Sequence, residues 1–123
     1  MSDTTTAATA ITGVDATFYL VQDFRRAKAY WCDVMGLTPT LEGDQSVEFT
    51  LNDGATFGLY HMSDDSFHAS GGVMFTVADV REAVTMYRDR GARIDEEVLD
   101  TPFCLMAFGE DTEGNTFILH QRK

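Results

Sequence analysis

Apolar and polar positions along the chain fall into two successive series with the same order of elements. From Asp15 to Val21 the run Ala16-Thr17-Phe18-Tyr19-Leu20-Val21 is β-branched and aromatic, which predicts a strand largely buried on both faces. Asp23 follows as a helix cap. Phe24, Ala27, Tyr30, Trp31, Val34 and Met35 then recur on one helical stripe, while Arg25, Arg26, Lys28 and Asp33 face away. Gly36 ends this helix as a left-handed cap. Strands are predicted near Leu37–Leu41, at Ser46–Leu51 and at Thr56–Met62, the last two joined by the turn Asn52-Asp53-Gly54. The order then starts again. Val73–Val77 is a strand, and Asp79 with Glu82 opens a helix whose inner stripe is Val80, Ala83, Val84 and Tyr87, closed by Gly91. Arg93–Val98, Phe103–Phe108 and Asn115–His120 complete the series, with turns at Thr101-Pro102 and Asp111-Thr112-Glu113-Gly114.

The repetition extends to the residues themselves. Val21-Gln22-Asp23-Phe24-Arg25-Arg26-Ala27 returns 56 positions later as Val77-Ala78-Asp79-Val80-Arg81-Glu82-Ala83, and a ring stands ten positions after each Val, at Trp31 and Tyr87. Gly54-Ala55-Thr56-Phe57-Gly58-Leu59 returns 60 positions later as Gly114-Asn115-Thr116-Phe117-Ile118-Leu119. A duplicated module follows. The expected fold is α+β: two βαβββ modules, residues 15–62 and 72–121, joined by a Ser-, Asp- and Gly-rich linker at 63–71. Together they make one domain over 13–123, after a disordered tail at 1–12. One helix covers one face of its sheet, so the two sheets are expected to curl into a cup-shaped mixed sheet with the helices on the outer face. Period-two alternation puts Phe57, Leu59, Phe117 and Leu119 under the helices. The opposite parity, Thr56, Gly58, Tyr60 and Met62 with Thr116, Ile118 and His120, lines the cup.

Composition narrows the partners. Nine Lys and Arg against 20 Asp and Glu give a net charge of −11, which repels phosphate backbones and anionic membrane surfaces, so nucleic acid and membrane are set aside. Cys32 and Cys104 lack any Cys-x-x-Cys spacing and read as small buried hydrophobes in a reducing compartment. With neither a signal-peptide pattern at the start nor an apolar run of membrane-spanning length, a cytoplasmic protein is expected.

The pattern Val21-x-Asp23-x-x-x-Ala27, then Tyr30-Trp31 and Gly36-Leu37, and the late turn Glu110-Asp111-Thr112-Glu113-Gly114-Asn115 together resemble the glyoxalase, bleomycin-resistance and extradiol-dioxygenase (vicinal oxygen chelate) superfamily. The resemblance covers about Asp15 to Gln121. It implies that metal-dependent members carry ligands on the first and last strand of each module, at positions that here are Ala16, Gly58, Gly72 and Ile118. None of these can donate to a divalent ion, so no metal cofactor is expected. Phe18, Gly58, Tyr60, Met62, Gly72, Met74, Ile118 and His120 are instead expected to line an apolar cup for a small, partly aromatic organic molecule that stacks on Phe18 or Tyr60. By the same resemblance the protein is a homodimer, arranged side by side or by module exchange, of the kind that sequesters a drug; its acidity suits a cationic ligand such as a bleomycin-type glycopeptide. The alternatives are a small lyase, isomerase or dioxygenase-like enzyme that uses His120 and Glu48 as acid and base or a non-standard metal site, and an accessory module without a ligand. His61 and His68 are expected at the surface or an interface, and Trp31 in the core or a dimer interface.

Overall fold

In the computed structural model, which describes residues 8–123, each half of the chain builds its own sheet. The first half gives β1 (Thr17–Leu20), α1 (Phe24–Ala29), β2 (Pro39–Glu42), β3 (Ser46–Thr50) and β4 (Thr56–Tyr60), with strand order β1-β4-β3-β2. The second half gives β5 (Val73–Thr76), α2 (Val80–Asp89), β6 (Arg93–Ile94), β7 (Leu99–Asp100), β8 (Cys104–Glu110) and β9 (Thr116–Arg122), with order β5-β9-β8-β6 and β7 beside β8. In both, the first strand runs parallel to the last and the other pairs are antiparallel. The two sheets are separate and open, and the βαβββ repeat is plain in both.

Local chemistry explains the boundaries. The Asp23 and Asp79 side chains accept from the amides of Arg26 and Glu82, capping the two helices as their spacing predicts. The first helix departs from expectation after Ala29, continuing through Tyr30–Val34 as a π-helical turn. Adjacent residues of a regular helix diverge by about 100°, yet Tyr30 and Trp31 are both buried. The wider turn lets both rings enter the core. Of the strand expected at Arg93–Val98 only Arg93–Ile94 forms; the like-charged run Asp95-Glu96-Glu97 stays in solvent, and a second short piece, Leu99–Asp100, pairs with β8 beyond the expected end. β1 also differs. Tyr19 is buried while Phe18 is 42% exposed, so this strand buries one face rather than two.

The helix-side faces of both sheets share one aromatic core. Trp31, 1% exposed, packs on Phe57 of the first sheet and on Phe75 and Phe117 of the second, with ring centroids 4.8–5.7 Å apart. Offset and tilted aromatic contacts at these spacings are favourable beyond area burial. The opposite sheet faces are thereby turned outward. Residues 63–71 form no strand or helix, only a turn with Phe67 N–H on the Asp64 carbonyl. The tail expected at 1–12 lies outside the described residues up to residue 7; from residue 8 to residue 15 the chain is exposed.

Candidate functional site

The side chains expected to line the cup are carried on these outward faces as two separate groups. On the first sheet Phe18 lies beside Gly58 across the β1–β4 pair, and Glu48 flanks Gly58 from β3. Phe18 and Tyr60 are each 42% exposed, and Met62, past the end of β4, is more so. On the second sheet Met74 sits beside Ile118, and His120 between Thr76 and Met106. Gly72 immediately precedes β5. Glu48 and His120 are on different sheets, and no hydrogen bond or ion pair joins them among the described residues. His120 is nine-tenths buried. His61 is half-buried with Nδ1 on the Val21 carbonyl at 2.9 Å, and His68 is exposed. Both cysteines are free, and burial pushes the Cys32 thiol up.

A buried polar hub, which the sequence showed only as a turn, fixes the two sheets relative to each other. It is the β8–β9 turn. Asp111 Oδ1 accepts the amides of Glu113 and Asn115, and Asp111 Oδ2 accepts Trp31 Nε1 at 3.2 Å and Asn115 Nδ2 at 3.1 Å. Asn115 Nδ2 also donates to the Leu20 carbonyl, and its Oδ1 accepts from Ser70 N. Glu113 Oε1 accepts from Gln22 N and Asp23 N at the start of α1; its Oε2 accepts from Arg26 Nε and from the Thr112 hydroxyl. Burial pushes the Glu113 carboxyl up, but the Arg26 guanidinium and the other donors outweigh it and hold the group below the ordinary carboxylate range. Nearby, the Tyr19 hydroxyl donates to the Thr116 carbonyl at 2.5 Å and accepts from Val73 N; desolvation pushes its pKa up to about 12.

The match to known proteins covers nearly the same span as these elements. The family model described as Glyoxalase/Bleomycin resistance protein/Dioxygenase superfamily matches residues 13–119. The chain belongs to this superfamily. Among curated proteins, none matches. Solved structures of the same fold include TnmS3, an antibiotic binding protein from Streptomyces sp. CB03234, at 20% identity over 93% of this chain and 98% of that one, with a TM-score of 0.79. A lactoylglutathione lyase from Agrobacterium tumefaciens is 18% identical over 90% and 94%, with a TM-score of 0.71. A glyoxalase/bleomycin resistance protein from Catenulispora Acidiphila is 17% identical over 86% and 95%, with a TM-score of 0.70. At these identities the likeness is one of fold.

The metal of the superfamily's metal-dependent members does not fit the residues present. A Cβ built on Gly58 would stand 2.6 Å from the Phe18 ring and 2.8 Å from the Val47 carbonyl oxygen, so the ring occupies the space a ligand side chain needs. Gly72 has φ +104°, a backbone that residues with a Cβ rarely adopt. Ile118 is apolar. No group of three or more His, Cys, Asp or Glu is placed to hold a metal ion among the described residues.

A cleft of about 710 Å³ opens elsewhere, between the two modules. It runs along the free edge of β5, from Val73 to Val77, over a floor of Trp31, Phe57, Phe75 and Leu119. Of the residues expected in the cup, Thr56 and Met74 reach it. No helix among the described residues is long and apolar enough to cross a membrane.

Proposed function

We propose that the protein binds a small, partly aromatic organic molecule on its outward sheet faces without a metal, in the manner of a resistance-type sequestering protein. The observation that carries this reading is the Phe18 ring over Gly58: where a metal ligand would project, a half-exposed aromatic surface is offered instead. Tyr60 and Met62 extend that surface on the first sheet, and Met74, Ile118 and His120 form the second group, on the other sheet. Such apolar hollows with few polar groups suit organic ligands. The shared fold with TnmS3, described as antibiotic binding, supports the same class. A second copy of the chain, facing the first, completes the cup by covering these exposed side chains.

The test is thermal melting with nickel, zinc, manganese or iron added in turn. A group that binds only the folded state raises the midpoint by mass action. The midpoint is expected to stay within about 1 °C, far less than the several degrees that about 1 kcal/mol of binding would give. A rise of many degrees with any of them overturns the reading.

A further inference from the structure

The duplicated modules meet at two junctions that the internal repeat makes equivalent, and only one of them is filled by the described residues. At the first, the β8–β9 turn reaches the ends of β1 and α1 through Asp111, Asn115 and Glu113. Sixty positions earlier, the β3–β4 turn carries Leu51, Ala55 and Asp53 in their places. Fifty-six positions on from Tyr19, Leu20 and Trp31 stand Phe75, Thr76 and Tyr87. All six of these counterparts line the 710 Å³ cleft. Asp has become Leu, Asn has become Ala, and Tyr has lost its hydroxyl. Each exchange removes a group that bridges the modules at the other junction, so the cleft is the vacated twin of the hub.

What remains there has the composition of a ligand site. The aromatic floor is continuous with the core, and cavities of about 300–1,000 Å³ with such floors hold drug-sized molecules. The backbone supplies the polar groups. Val77 N–H bonds the His120 carbonyl, so the odd-numbered residues of β5 turn their peptides to β9, leaving those of Met74 and Thr76 on the strand's free edge. At the filled junction the Leu20 carbonyl takes Asn115 Nδ2; its counterpart is the Thr76 carbonyl, and in the place of Asn115 stands Ala55, whose side chain has no donor. Among the described residues Asp53 is the one charged side chain lining the cleft, and no Lys, Arg or His lines it.

We infer that this inter-module cleft is a binding site, distinct from the outward faces, for an uncharged or cationic aromatic molecule that carries a hydrogen-bond donor for the β5 edge. Among the described residues an anion meets Asp53 and no positive charge there. The inference does not depend on the outward-face reading.

Proflavine, a cationic aromatic amine that fluoresces, is the probe, titrated into the intact protein at about 0.15 M salt to screen the general negative charge. Saturable binding is expected, with quenching of Trp31, the single tryptophan, which forms part of the cleft floor. Ala55→Phe, at an exposed rim position, and Thr76→Phe, at an exposed edge, should each weaken it by about tenfold or more, and the anionic anilinonaphthalene sulfonate should bind at least about tenfold more weakly than proflavine. Met86→Ala, on the exposed side of α2, should leave proflavine affinity within about twofold, well short of one decade. Loss of binding in Phe18→Ala with retention in both cleft variants overturns this inference and places the probe on the outward face. Absence of saturable proflavine binding, or equal binding of the anion, overturns it too.

Discussion

Replacing Glu113 with Gln removes the hub's ion pair with Arg26 of α1 while nearly preserving its shape. The amide oxygen still accepts from Gln22 N and Asp23 N, but the new NH2 group faces the Arg26 Nε donor, 2.8 Å from the lost oxygen, and meets the Thr112 hydroxyl, 2.8 Å away, only if that hydroxyl turns to accept. A hydrogen bond to a charged group contributes about 1.5–3 kcal/mol. Arg26 is half exposed, so its share falls toward the ~1 kcal/mol of a surface pair. The expected loss is about 2–3 kcal/mol, or about 6–12 °C in Tm for a chain of this size. Urea unfolding followed by Trp31 emission reads it directly, because Trp31 Nε1 bonds Asp111 in the same hub. The pH dependence has a definite sign. Glu113 has a lowered pKa in the fold, so its ionised form stabilises the protein above the unfolded value of about 4.3, and that contribution is lost as pH falls through the lower folded value. Gln does not titrate. The gap between the two proteins should therefore be constant from neutral pH down to about 5 and shrink below about 4. A gap under about 0.5 kcal/mol at pH 7, the scatter of ordinary surface substitutions, or one that persists undiminished to pH 2, refutes the hub's role.

Other outcomes follow from the same geometry. Tyr19→Phe orphans Val73 N–H and the Thr116 carbonyl and should cost about 1–2 kcal/mol. Because the Tyr19 pKa is raised to about 12, wild type should lose stability as pH rises above about 10, where the unfolded phenol ionises first, and Tyr19→Phe should lose less; parallel pH profiles would contradict this. Gly58→Val drives a side chain into the Phe18 ring and should destabilise by about 1–3 kcal/mol. Adding Phe18→Ala should recover part of that cost in a double-mutant cycle, and strict additivity would show that the two do not touch.

The architecture was legible because duplication and helix caps are written in residue identities: Asp23 and Asp79, Gly54 and Gly114, and Phe57 and Phe117 recur at fixed offsets. The first helix was legible in position but not in pitch. Tyr30 and Trp31 sit on a π turn, and spacing rules that assume a regular helix do not register it. The hub was hidden for a different reason. Asp, Thr, Glu, Gly and Asn are common turn residues, and nothing local says that these are buried and reach residues about 90 positions away. A signal for the cleft did exist, since aligning the repeat sets Asp111 against Leu51 and Asn115 against Ala55. It becomes readable only once the filled junction shows what Asp and Asn do. For the expected cup, Phe18, Tyr60 and Met74 are exposed rather than core, but they lie on two separate sheets, an arrangement that parity within a strand does not describe.

Native mass spectrometry of untagged protein taken directly from cells, set against its denatured mass, tests metal-free binding most directly because it weighs subunits and retained ligand together. The account predicts a dimer free of metal, carrying any excess mass as an organic compound; a stoichiometric divalent metal ion on each subunit would contradict it.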